Sequence, residues 1–399
     1  MEHILRGIIG IIGILALAFL LSKDKKKINL QTVGVGITML ITFAYVVTNS
    51  KIGIAMLNGA SNGVQTFMDY SKGGIEFVFG DLAKGNFVFF FHALMVIVFI
   101  SSLVSLLYYL GIMQRVVSFL GGIISKLLGV SKIEGVNAIG CVALGASEAP
   151  ILIKPYLTKL TKAELFTIMT SALSAVAGSI LVGYAALGIP LNYLLTATLM
   201  SIPASLVIAK IIMPEREQPK IKDVKLAKDT ESANIFDAMA KGAQEGIQIV
   251  VSVSAMLMAF IAIVAFFNGI LGGIGSFFGY DGLTIEMILG YLFSPLAFLI
   301  GVPMDEILQS ASFIGQKTVL NEFVAFGHLA DATLSPKAMM VVTFALCGFA
   351  NFSVIAILLG SIGALAPSIR KDVAKLGFLA LIAGLLANLL SASVAGMMF

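Results

Sequence analysis

The stretch "VNAIGCVALGASEAPILI", Val136 to Ile153, is apolar at both ends and interrupted in the middle. It holds one carboxylate, Glu148, with Pro150 two positions on. A carboxylate at mid-bilayer depth costs about 2.5–3.5 kcal/mol on insertion scales, so ionisable residues in such runs are functional by default. Pro150 removes a backbone donor and disfavours helix at the residue before it. Irregular backbone is tolerated in a membrane only where it is buried in protein or lines a cavity. The segment therefore reads as a broken, re-entrant element whose freed amides, near Ser147 and Glu148, face a polar cavity.

The surrounding composition agrees. Of 399 residues, 58% are hydrophobic and only 12% charged. No soluble domain hides that much apolar surface, and the apolar runs are long and continuous rather than short and alternating. The chain reads as an all-α integral membrane protein. Spans are expected near 4–22, 29–49, 87–110, 165–186, 190–213, 246–270, 338–363 and 376–398, about eight in all. The first run has no small-residue cleavage site before "KDKKK" and reads as a span, not a signal peptide. Residues 50–86 and 112–130 mix polar and apolar positions and read as interfacial helices. The basic stretches "KDKKK" (Lys23 to Lys27), "PEREQPKIKDVKLAK" (Pro214 to Lys228) and "RKDVAK" (Arg370 to Lys375) mark the cytoplasmic side, which puts both termini outside. The net charge of +4 thus reports topology and not a nucleic-acid partner. Cys141 and Cys347 lie in apolar segments and are poor disulfide candidates. His3, His92 and His328 show no metal-ligand spacing, and Asp305 and Glu306 read as a solvated turn.

A weak internal repeat follows from the broken segments. "GASEAPILIKPYLTKLTKAELF" leads into a helix holding "SALSAVAGS", Ser171 to Ser179. "VLNEFVAFGHLADATLSPKAMM" leads into one holding "CGFANFS", Cys347 to Ser353. Each copy has a glutamate in a broken segment, a polar turn with lysine, and a helix softened at mid-depth. On the topology above the copies are inverted, the pattern of secondary transporters whose site lies where broken segments meet. Four regions result: scaffold spans 1–128, a first transport repeat 129–213, a loop with a scaffold span and interfacial helices 214–299, and a second repeat 300–399. Glu148 and Glu322 then face a common site. Asn351, whose amide suits paired hydroxyls, joins them, with Phe349 able to stack on a flat ring. No nucleophile–histidine arrangement or HExxH motif supports an enzyme that uses the two glutamates as acid and base.

"GASEAPILIKPYL", "NEFVAF" and "CGFANFS", together with "FVFG" (Phe77 to Gly80) and "PLAFLIGVP" (Pro295 to Pro303), resemble the concentrative nucleoside transporter family over essentially the whole chain. The resemblance implies a homotrimer of eight-span protomers with two re-entrant hairpins in inverted repeats. No cofactor is expected, and the helical class with the short, lean chain points to a bacterial inner membrane. The resemblance places Ala146, Ser147 and Glu148 at the base of a nucleoside, Glu322, Asn351 and Val354 at its sugar, and Phe349 beside the sugar. The chain departs from the family pattern at Ala146, where a glutamine is usual, and at Val354, where a serine is usual. Sodium-coupled members place an asparagine and a serine at the positions of Cys141 and Ala175, alongside backbone carbonyls at Leu144 and Val176. Sulfur and methyl groups are poor ligands for a hard cation. The expectation is therefore a nucleoside importer coupled to protons through Glu322 or Glu148, with a preference for purines. Sodium coupling and carriage of another small polar solute, such as a free base, are the alternatives.

Overall fold

A computed structural model describes residues 2–85, 87–217, 219, 221, 224–279 and 282–398. Lys220 and Lys222 of the long basic loop lie outside the described residues. The described residues are nearly all helical and contain no strand. In chain order the α-helices are α1 (Glu2–Leu20), α2 (Leu30–Asn49), α3 (Lys51–Phe79), α4 (Val96–Tyr109), α5 (Ile112–Leu128), α6 (Lys132–Ala143), α7 (Ala149–Leu152), α8 (Lys162–Ser174) and α9 (Gly178–Ala186). They continue as α10 (Leu191–Ile212), α11 (Ile235–Phe277), α12 (Ile285–Leu299), α13 (Ile307–Val319), α14 (Glu322–Ala330), α15 (Pro336–Leu346), α16 (Phe352–Leu365) and α17 (Arg370–Met398).

Among the described residues, seven stretches are long and apolar enough to cross a membrane, and α8 with α9 counts as one of them. The expected span 338–363 is present as two half-helices, α15 and α16, each too short to cross alone. The span expected at 246–270 lies inside α11, which runs for 43 residues. At 1.5 Å per residue α11 is roughly 65 Å long, about twice the hydrocarbon thickness, so it extends well beyond the bilayer core.

The broken segments take the form the sequence suggests. α6 and α7 make a first hairpin through Leu144–Glu148, and α13 and α14 a second through Leu320–Asn321. Local chemistry explains their starts. Ser131 and Thr161 begin α6 and α8 with capping boxes closed by Glu134 and Glu164. Pro336 sits at the first turn of α15, where its missing N–H costs nothing, behind the Ser335 cap. The α8/α9 break has no proline. It opens at Ala175–Ala177, and the α15/α16 break opens at Cys347–Asn351.

Helices α8, α10 and α17 form the centre. Every residue from Ala163 to Ser174 is buried, and α17 is buried almost continuously from Ala380 to Gly396. α1, α2, α3, α4 and α11 wrap this centre and leave large apolar side chains exposed, as lipid-facing helices do. A buried ion pair, Lys210 Nζ to Glu134 Oε1 at 2.5 Å, ties α10 to the first hairpin. One expectation fails here. Glu306 is no solvated turn residue: its carboxylate accepts from the backbone N–H and the hydroxyl of Ser335, each at 2.5 Å. It pins the start of the second hairpin to the start of α15, because the N-terminal amides of a helix seek an anion.

Candidate functional site

The two hairpin tips and the two helix breaks converge on one cavity of about 410 Å³. Ala146, Ser147, Glu148, Glu322, Phe349, Asn351 and Val354 all border it. Sequence residues more than 200 positions apart are thus brought to one wall, as two inverted copies meeting at mid-depth require.

Glu322 is the first residue of α14 and is 5% exposed. Its Oε2 accepts from Asn351 Nδ2 at 2.7 Å. Asn351 is itself the cap of α16: its Oδ1 accepts from the backbone N–H of Val354 at 3.1 Å and from the hydroxyl of Ser353 at 2.7 Å. The amide therefore does two things. It starts the half-helix after the break, and it fixes one carboxylate oxygen of Glu322. The Val354 side chain is buried and offers no hydrogen bond. Phe349 is half-buried at the cavity wall.

On the first hairpin, Gly145 adopts φ +136°, a conformation L side chains rarely take. The Glu148 carboxylate folds back over it and would collide with any Cβ there. Ser147 Oγ donates to Glu148 Oε1 at 3.3 Å, a long bond that leaves the carboxylate largely unspent. Ala146 is buried beside them with only a methyl to offer.

The expected cation positions are less open. Leu144 borders the cavity, while Cys141, Ala175 and Val176 are buried behind it. The Cys141 sulfur lies 3.4 Å from Asn137 Nδ2. His328 Nδ1 pairs with Gln316 Oε1 at 2.5 Å, away from this cavity.

Several residues escaped the reading of the sequence. Lys317 is completely buried on α13, and its ammonium donates to the Ala345 carbonyl at 2.9 Å and to Asn388 Oδ1 at 2.7 Å. Asn388 Nδ2 then donates to the carbonyls of Ser174 and Cys347, at 2.8 and 2.9 Å. One polar node thus ties the second hairpin and α17 to the ends of both half-helices before their breaks. Gly348 makes room for it, since a Cβ there would lie 2.6 Å from the Ser174 oxygen. Cationic groups are favoured at helix C-termini, which is where this ammonium sits. A lysine five residues before Glu322 in an apolar stretch was a usable signal. Tyr184 on α9 is fully buried, packs edge-on against Phe323 and tilted against Phe326 with ring centroids 4.7 and 4.4 Å away, and turns its hydroxyl toward Glu322. Glu245 on α11 borders the same cavity.

The family description "Na+ dependent nucleoside transporter C-terminus" matches residues 193–396, and its N-terminal counterpart matches 9–82. "Nucleoside recognition" matches 90–191. The chain belongs to the concentrative nucleoside transporter family. It is 51% identical over 401 residues to the uncharacterized transporter YutK of Bacillus subtilis, covering 99% of each chain. It is 37% identical to the nucleoside permease NupC of Helicobacter pylori, covering 98% of this chain and 97% of that one. Among solved structures, CNTnw in an inward-facing substrate-bound state superposes with a TM-score of 0.93 at 41% identity, covering 99% of this chain and 98% of that one. A substituted CNTnw in an outward-facing state gives 0.95 at 40% identity, covering 100% and 98%. CNTnw and its substituted form are thus recorded in both inward- and outward-facing states, and the family is one of transporters, not enzymes.

Proposed function

We propose that this transporter imports nucleosides by alternating access, driven by protons, with the sugar held by Glu322 and Asn351 and the base by Ala146, Ser147 and Glu148. The observation that carries this reading is the joint presence of Glu322, Asn351, Ser147 and Glu148 on one cavity. Glu322 offers a carboxylate acceptor to a sugar diol. The first hairpin faces it across a space suited to a flat base, with Phe349 at the wall. Val354 is a bystander on this reading, a methyl-bearing contact beside the sugar. A homotrimer in the bacterial inner membrane, with termini outside and transport units at 129–213 and 300–399, completes the proposal. The test is uptake of radiolabelled nucleosides into proteoliposomes under an imposed ion gradient. Accumulation of unmodified nucleoside only with the gradient supports it. Preferential accumulation of free bases would replace it with a nucleobase carrier.

The purine preference rests on Ala146. A methyl there leaves more room for a fused ring than an amide side chain and gives a pyrimidine edge nothing to pair with. Inosine and guanosine should outcompete uridine at equal concentration. Ala146→Gln should reverse the order by about tenfold, the worth of one good hydrogen bond. Uridine winning against the parent protein would contradict this.

Sodium coupling remains the second reading because of one atom. Oδ1 of Asn137, one helical turn before Cys141, is buried without a hydrogen-bond partner. It is an oxygen that a cation near Leu144 and Val176 could use. Asn137→Leu should leave uptake unchanged if protons drive it, and a loss confined to sodium-containing buffer would favour sodium.

A further inference from the structure

The two ends of the Asn321 side chain have different fates. Oδ1 accepts from the backbone N–H of Val324 at 3.0 Å and caps α14. That bond settles the amide's orientation, because only the oxygen end can accept from an N–H. Nδ2 is therefore the other end, and it is buried with no hydrogen-bond partner. The residue is 1% exposed and borders the cavity beside Glu322.

The side-chain donors beside it on α16 already have partners. Asn351 Nδ2 gives one of its two N–H groups to Glu322, and the Ser353 hydroxyl goes to Asn351 Oδ1. Ionised Glu322 is an acceptor and never a donor. A wall of this kind takes a ligand's hydroxyl hydrogens at Glu322 and can give to a ligand's oxygen through Asn321 Nδ2, which has no partner at all. A sugar carries both kinds of group: hydroxyls that donate, and a ring or 5′ oxygen that accepts.

We propose that Asn321 is a further substrate-contact residue that selects the sugar, its Nδ2 donating to the ring oxygen or the 5′ oxygen of the bound nucleoside. This rests on the reading that Glu322 and Asn351 hold the sugar. A buried donor without a partner destabilises the empty site. The contact is made only with substrate present, as the hairpin tip settles onto it and uncovers the amide. A site built this way rejects ligands that lack the oxygen more strongly than an apolar wall would.

The experiment uses the full-length protein in proteoliposomes, with adenosine, 5′-deoxyadenosine and carbocyclic adenosine as competitors of nucleoside uptake. Asn321→Ser keeps an oxygen for the helix cap but removes the amide donor, its hydroxyl sitting on a shorter arm drawn back to the cap. Adenosine should weaken about tenfold in this variant. The penalty the parent shows for one of the two analogues should vanish with it, which identifies the oxygen. Asn321→Asp keeps the cap and turns the donor into an acceptor, so adenosine should weaken further. Parent-like adenosine affinity in Asn321→Ser overturns the proposal, as does an unchanged penalty for both analogues. If the serine variant does not assemble, parent-like affinity in Asn321→Asp overturns it equally. Glu322→Gln is run beside them. Loss of uptake there with an unaffected Asn321→Ser removes Asn321 alone, whereas normal uptake in Glu322→Gln removes the underlying sugar site and this proposal together.

Discussion

Glu322→Gln should leave nucleoside uptake at about 1% of the parent level or below, with the protein still inserted and assembled. The carboxylate is nearly enclosed, and Asn351 Nδ2 already fills one lone-pair direction on Oε2 at 2.7 Å. The Tyr184 hydroxyl is turned toward the same carboxylate, and the oxygen positions left over are those a sugar diol would take. Charge-assisted hydrogen bonds contribute about 1.5–3 kcal/mol each, so losing two costs at least about 3 kcal/mol, or roughly two decades of affinity. With its oxygen turned to accept from Asn351 Nδ2, the amide presents an NH2 donor to the sugar diol where the carboxylate offered an acceptor. The helix start survives, since Asn321 and not Glu322 caps α14. Initial uptake rates in proteoliposomes, normalised to protein inserted, decide the matter. A rate at the parent level would remove Glu322 from the site.

The residues that announced themselves were the expensive ones. Glu148 and Glu322 stood out because a carboxylate in an apolar run needs a reason, and Pro150 marked where regular helix must end. Asn351 was visible for the same reason, though its service as the α16 cap was not. Breaks made by tertiary contact were harder to see. Between Ser174 and Gly178 the sequence is Ala-Val-Ala, which is compatible with continuous helix. There the chain opens where Asn388, more than 200 residues away, takes the Ser174 carbonyl. A polar node assembled from α13, α15, α8 and α17 has no local period to read. Lys317 and Asn388 could be found only as two polar residues inside apolar segments, each lacking a visible partner. Glu306 was misjudged for a related reason. A carboxylate at a turn looks solvated until the helix it caps, 29 residues on, is known to begin beside it.

The coupling ion is the other prediction of large effect. Uptake should collapse on addition of a protonophore, rise with an inward pH gradient, and stay unchanged when Na⁺ is replaced by choline at fixed pH. The argument is one of ligands. The position where sodium-coupled members place an asparagine side chain holds the Cys141 sulfur, buried and facing the Asn137 amide. Ala175 supplies a methyl where a hydroxyl would be needed. Carbonyls at Leu144 and Val176 alone make a thin shell for a hard cation. A proton needs no cage, only a titratable group that meets both sides of the membrane in turn. On the proposed reading Glu148 is that group: it borders the cavity at the tip of the first hairpin, with the Ser147 hydroxyl as its side-chain donor. Glu322 is less free, because Asn351 donates to it directly. Glu148→Gln should therefore uncouple uptake from the pH gradient, while Glu322→Gln should stop it altogether. The ligand argument also runs forward. Cys141→Asn with Ala175→Ser restores both missing oxygens and should make uptake respond to Na⁺ where the parent does not. Strict Na⁺ dependence of the parent at constant pH would sink proton coupling. It would also move attention to Asn137 Oδ1, the one buried oxygen beside Cys141 that no protein donor satisfies.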